Sequence, residues 1–171
     1  MVWMVAGASI GDDVAVTPIK IAYPITREFQ TPALDKPLVQ KTTDKPPRNI
    51  VLVIGDGMGA GACDLASLWT HGATNRLFMQ QLPVRGFCKT ASKSSSVTDS
   101  AAAATAIACG EKVANGAIAT TPEGRALRSL AMAARKQGKA VGVLTSDSLT
   151  GATPAGFFAR QSGRGMAPEI V

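Results

Sequence analysis

The sequence predicts an α/β fold built on a parallel sheet, and three observations carry that prediction. Two short apolar runs, Ile50-Val51-Leu52-Val53-Ile54 and Ala140-Val141-Gly142-Val143-Leu144, read as strands buried on both faces. Each run ends in polar residues, Gly55-Asp56-Gly57 and Thr145-Ser146-Asp147, at the sheet edge where ligands collect. The second run follows a helical pattern over residues 122–137, so one helix-to-strand passage of an alternating architecture is legible.

The chain has 171 residues, 46% of them hydrophobic, which suffices for one core and excludes disorder of its middle and end. Eighteen Lys+Arg against 12 Asp+Glu give a formal charge of +6, a balance that favours anionic partners and says nothing about fold. No compact basic cluster interleaves with aromatics, so no nucleic-acid partner is expected. Cys63, Cys88 and Cys109 are too few and too irregularly spaced for a disulfide framework, and at least one thiol must stay free or pair outside the chain.

Residues 1–49 read as an N-terminal arm or extension. MVWMVAGAS has the texture of an export-signal core, but without a basic leader and running into Asp12-Asp13 it reads as a truncated remnant. It is too short to span a membrane. Residues 17–49 hold six of the ten prolines, and DKPPRN marks the boundary of the second segment, 50–171.

In that segment the strand at 50–54 delivers Asp56 to its carboxyl end. A carboxylate between two glycines is sterically open to a metal ion, and hard cations prefer oxygen ligands. The alternative is that GDGMGAG is only a tight turn into the next helix; it matches neither the dinucleotide fingerprint nor the phosphate loop. Residues 60–70 predict a helix with Ala62, Leu65, Ala66 and Trp69 on its core side. His71, the sole histidine, reads as a capping or surface residue. A short helix with Leu77, Phe78 and Leu82 as core positions is expected within 73–82, then a strand over 84–91.

Residues 92–110 read SKSSSVTDSAAAATAIACG, a Ser-rich connection giving way to an alanine run. Alanine is the strongest helix former and Gly110 supplies the stop. Thr98, Asp99 or Ser100 can cap this helix. Ser100 would then lie where unpaired amide donors and the positive dipole end favour an anion, so it could hold a phosphate or attack one.

The helix over 122–137 has Thr121 as cap, Pro122 in the first turn, an apolar stripe of Leu127, Leu130, Ala131 and Ala134, and Gly138 as stop. Beyond the 140–144 strand, Pro154 can open a short helix anchored by Phe157 and Phe158, with Thr153 either its cap or a metal ligand. Arg160 and Arg164 would share a face if that helix ran through both, and a guanidinium's planar donor fork suits phosphate.

RNIVLVIGDGMG, VTDSAAAATAIACG and the ATPA segment, in this order and spacing, resemble the amino-terminal part of an alkaline phosphatase over about residues 48–168. The resemblance implies a three-layer sandwich around a mostly parallel sheet, here only in part. It implies that Ser100 is the nucleophile, forming a phosphoseryl intermediate beside a zinc ion, and that Asp56 bridges this zinc and a magnesium. By the same likeness Thr153 helps to bind magnesium, Arg164 holds two nonbridging phosphate oxygens, and Asp99 orients Arg164. Two zinc ions and one magnesium are implied as cofactors of the complete enzyme, and phosphomonoesters and inorganic phosphate as its small-molecule partners. A homodimer and a periplasmic or extracellular location also follow from the family.

Gly151 stands where the resemblance implies an aspartate or histidine beside the magnesium. The family's later glutamate, aspartate and histidine ligands have no counterpart in these residues. The sequence is therefore expected to be part of a longer enzyme, and to bind zinc poorly and hydrolyse little p-nitrophenyl phosphate by itself. Two other classes are consistent with the same motifs: a related metal-dependent phosphodiesterase or sulfatase, and a non-enzymatic phosphate-binding or interaction module.

Overall fold

The computed structural model describes residues 2–5, 48–82 and 84–166. The chain divides into two compact units, Met1–Phe87 and Cys88–Val171, and each is described by itself. Apart from residues 2–5 and 48–49, the expected arm lies outside the described residues.

In the first unit Val2–Val5 (β1) pairs antiparallel with Val51–Ile54 (β2), Val2 opposite Ile54 and Val5 opposite Val51. The expected strand is present, but its surroundings differ from the expectation. Val51 and Val53 are exposed while Leu52 and Ile54 are half-buried, the alternation of a strand with one face covered. Branched side chains set the strand conformation locally. Which faces are covered depends on segments distant in sequence, which a five-residue pattern does not encode.

Ala60–His71 (α1) forms as the pattern predicts and ends at Gly72, whose φ of 68° lets its amide reach the carbonyl of Leu68. Its orientation is reversed: Leu65 is 67% and Trp69 88% exposed, and Ala62 and Ala66 are exposed as well. The buried side carries Cys63 and Ser67. Ser67 Oγ donates to the Ala73 carbonyl at 2.6 Å and accepts from the Arg76 amide at 2.8 Å. The Gln80 side-chain amide donates to Asp64 Oδ1 at 3.2 Å. These bonds draw residues 73–80 over the polar side of α1, where the hydroxyl is covered with its hydrogen bonds made. The helix expected within 73–82 contracts to a 3-10 turn, Phe78–Gln81, with Phe78 exposed rather than in the core. Residues 84–91 form no strand, and the Lys89 and Ala91 carbonyls accept from the Lys112 ammonium instead of a ladder partner.

The second unit is organised around Ser100–Cys109 (α2). Asp99 is its N-cap, Oδ1 accepting from the Ala102 amide at 2.9 Å, and Gly110 closes it with φ 72° and a bond to the Ala106 carbonyl. The alanines give α2 a thin profile, and a neighbouring helix uses it. Ala152–Phe158 (α4) comes so close that a Cβ on Gly156 would stand 3.0 Å from the Ala104 Cβ. Two apolar clusters flank α2: Ala101 with Ile118, Ala152 and Ala155, and Ala102 with Val113, Ala117, Ala119 and Leu127. Thr105 is fully buried between them. Its hydroxyl donates to the Ala117 carbonyl at 3.2 Å and accepts from the Ala119 amide at 2.9 Å, pinning the 117–119 segment to α2.

The helix expected over 122–137 is confined to Leu130–Lys136 (α3), capped by Ser129. Residues 121–127 instead fold back: Gly124, at φ 80°, donates to the Thr121 carbonyl, and Thr120 bridges Ala126. Leu127 is buried as expected, whereas Leu130 is exposed. Ser129 Oγ also donates to the Phe157 carbonyl, tying the start of α3 to α4. Residues 140–144 form no strand among the described residues, and Leu144 is exposed. With no described segment to complete a ladder, the apolar run stays irregular. In α4 the buried positions are Ala152, Pro154, Ala155 and Gly156, while Phe158 is exposed, so close helix contact replaces the expected aromatic anchors.

Candidate functional site

The expected phosphate-handling residues of the second unit meet at the start of α2. Ser100 is the first helical residue and half-buried. Asp99, just before it, divides its two oxygens. Oδ1 caps the helix at Ala102, whereas Oδ2 accepts from the Gly116 amide at 3.0 Å and from Arg164 Nη1 at 3.3 Å. One carboxylate therefore fixes the helix start and a guanidinium from 65 residues away together. Their side chains are 24% and 49% exposed, so water screens much of the attraction and the contact serves chiefly to orient.

Asn115 completes the arrangement and was not foreseen from the sequence. Its side-chain oxygen accepts from the Asp99 amide at 3.2 Å and its nitrogen donates to the Val97 carbonyl at 3.0 Å. Its own amide donates to Ser94 Oγ at 2.9 Å. Asn115 thus locks the Ser-rich loop and the cap residue onto the 115–116 turn. The signal was present as an Asn-Gly dipeptide, a strong turn marker.

Thr153 is the second residue of α4, whose N-cap is Gly151. It is not the N-cap of the helix, one of the two roles considered for it. Ala101 and Ala152 share a cluster, so Ser100 and Thr153 each adjoin it from the first turn of their own helix. Arg160 separates from Arg164 because α4 ends at Phe158. Its guanidinium donates instead to the Leu127 carbonyl at 3.2 Å and to Met132 Sδ at 2.8 Å, a packing role.

Asp56 lies in the first unit, exposed in the turn after β2, where Gly57 takes φ 65°. His71 is the last residue of α1 in that unit. Cys109 is half-buried at the end of α2. Burial pushes its pKa up, with Arg160 opposing the rise and Glu111 adding to it.

The donor chemistry separates the two implied metals. Zinc favours clustered nitrogen and sulfur ligands, and among the described residues no three of His, Cys, Asp or Glu gather around one point. These residues do not make a zinc cage. Magnesium takes hard oxygens with several retained waters, and Thr153 has such a donor, with the Asp147 carboxylate packed against Gly151 two residues before it.

The chain is similar to known proteins over most of its length. The family model for alkaline phosphatase matches residues 47–171. An alkaline phosphatase of Schizosaccharomyces pombe is 32% identical over 135 residues, covering 77% of this chain and 25% of the relative. The streptomycin-6-phosphate phosphatase of Streptomyces griseus is 35% identical over 131 residues, covering 73% and 29%. Among solved structures, a variant alkaline phosphatase of the Antarctic bacterium TAB5 with magnesium bound superposes with a TM-score of 0.58 at 35% identity, covering 67% of this chain and 32% of that one. The chain thus spans roughly a quarter to a third of the proteins it matches.

Proposed function

The chain belongs to the alkaline phosphatase family, and from that premise we propose that it supplies the nucleophile and phosphate grip of a phosphomonoester hydrolase. The single observation that carries this reading is the shared carboxylate, Asp99, which caps the serine-bearing helix with one oxygen and holds Arg164 with the other.

In this reading Ser100 Oγ attacks phosphorus in line. The Ser–O–P bond forms as the ester P–O bond breaks, and the alcohol leaves with its oxygen and a proton. Water then attacks the phosphoserine, restoring the hydroxyl and releasing inorganic phosphate. Arg164 grips two nonbridging oxygens, and the positive end of the α2 dipole faces the same charge. Asp99 keeps the guanidinium from swinging into solvent. Metal ions, where bound, neutralise charge on the phosphoryl oxygens. Thr153, Asp56 and Ser100 are the groups of this chain proposed to touch them, with magnesium at Thr153 supported by the oxygen donors there.

Recognition centred on the phosphoryl group makes the substrate class small phosphomonoesters, and a relative named for streptomycin 6-phosphate supports it. The complete enzyme is proposed as a three-layer sandwich and a homodimer, working in the periplasm or outside the cell. Because the described residues gather no zinc ligands, this stretch by itself is proposed to turn over little substrate.

The test is hydrolysis of p-nitrophenyl phosphate by the complete enzyme and its Ser100→Ala and Arg164→Ala variants. Loss of turnover in the first, and a raised KM for phosphoester in the second, are expected. Turnover that survives Ser100→Ala would contradict the reading.

A further inference from the structure

We propose that Asn115 is a positioning residue of the phosphate grip: it holds Asp99, and through Asp99 it sets where the Arg164 guanidinium stands. This rests on the phosphatase reading above and extends it to a residue outside the set named there.

Residues 114–117 form a tight turn. The Ala117 amide donates to the Ala114 carbonyl at 3.2 Å, and Gly116 takes φ 90°, a left-handed value that glycine reaches without strain. The far side of the turn is tied to the body of α2, because the hydroxyl of the fully buried Thr105 donates to the Ala117 carbonyl and accepts from the Ala119 amide. The near side reaches the segment leading into the same helix. The Asn115 backbone amide donates to Ser94 Oγ at 2.9 Å, its side-chain nitrogen donates to the Val97 carbonyl at 3.0 Å, and its side-chain oxygen accepts from the Asp99 amide at 3.2 Å. Next to it the Gly116 amide donates to Asp99 Oδ2 at 3.0 Å, the oxygen that also accepts from Arg164.

Two successive residues thus hold Asp99 at two points, its backbone and its carboxylate. An aspartate fixed by its cap alone would leave Oδ2 free to follow the guanidinium. With the amide and Oδ2 both anchored, the guanidinium must come to the oxygen. Residue 115 has to offer one acceptor and one donor at a single planar end, and a carboxamide does so. Aspartate would lack the donor, and alanine lacks both. Asn115 is exposed, so water can replace its hydrogen bonds when the side chain is cut, and little stability is lost. Water does not restore the position of Asp99. That position is what the reaction feels, because a binding group displaced by about 1 Å loses much of its effect.

The experiment measures competitive inhibition by inorganic phosphate in the complete enzyme and in its Asn115→Ala, Arg164→Ala and doubly substituted variants. Asn115→Ala is expected to weaken phosphate about fivefold or more in the parent, and less than about twofold once Arg164 is replaced, because the two residues act along one path. Asn115→Ser keeps a polar turn residue but is too short to bridge both partners; it should behave as Asn115→Ala, and it carries the test if the alanine variant fails to fold. Equal weakening in both backgrounds is the mark of a merely structural residue and overturns the proposal. No weakening by Asn115→Ala where Arg164→Ala alone weakens phosphate overturns it too, and leaves the phosphatase reading standing. If Arg164→Ala alone leaves phosphate inhibition unchanged, the grip itself is refuted and this proposal falls with it.

Discussion

Asp99 carries two duties on two oxygens, and substitution can separate them. In Asp99→Asn the side-chain oxygen can still cap α2 at Ala102, but the amide group turned toward the Gly116 amide and Arg164 offers hydrogens where acceptors are needed. The buried-side loss is the Gly116 hydrogen bond, about 1 kcal/mol. The Arg164 contact adds only about 0.5 kcal/mol, since a half-exposed guanidinium is screened by water. Asp99→Asn should therefore cost about 1 to 2 kcal/mol. Asp99→Ala also loses the cap, about 1 kcal/mol more. The assay is urea denaturation followed by far-ultraviolet circular dichroism, comparing midpoints at constant slope. Activity should separate from stability: both variants free Arg164, so both should raise the KM for phosphoester similarly. Equal stability of Asn and Ala variants would refute the capping role, and an unchanged KM in both would refute the positioning role.

Three further predictions test the packing around this site. Thr105→Val keeps the shape but leaves the Ala117 carbonyl and Ala119 amide without their partner, and should cost about 2 to 4 kcal/mol by urea denaturation. Gly156→Ala gains helix propensity, yet its methyl meets the buried Ala104 at 3.0 Å; it should destabilise by about 1 kcal/mol or more, with Gly156→Val worse. Burial raises the Cys109 pKa, so the folded state holds that proton more tightly than the unfolded state. Stability should accordingly fall as pH climbs past the ordinary thiol value of about 8.5, and Cys109→Ala should flatten that fall in midpoints measured across the alkaline range.

Where information was local, the sequence carried it. The alanine run and the Gly110 stop define α2 within a dozen residues and took their expected places, and of the three cap candidates Asp99 is the one that caps. The strand at 50–54 was legible as a strand because branched side chains act on their own backbone. Its covered face, the orientation of α1 and the fate of 140–144 depend on distant segments, and there the readings failed. Trp69 shows why: a helical stripe of apolar residues marks a face, while the hydrogen bonds of Ser67 and Gln80 decide which face is turned inward. Helix 122–137 was overextended because Gly124, inside that range, takes a positive φ that builds a turn. The pairing of Asp99 with Arg164 spans 65 residues, and family resemblance, not periodicity, suggested it. Asn115 went unread, because nothing local in an Asn-Gly turn marks it as the lock on a cap 16 residues away.

Covalent phosphate on Ser100 is the most direct measurement of the central claim. The complete enzyme is incubated with phosphomonoester, quenched in acid and digested, and the peptide spanning residues 98–112 is weighed and sequenced by mass spectrometry. Phosphate on Ser100, absent after Ser100→Ala and reduced after Arg164→Ala, is the predicted result. Active turnover with that serine unmodified under every quench, or phosphate carried by another residue, would contradict it.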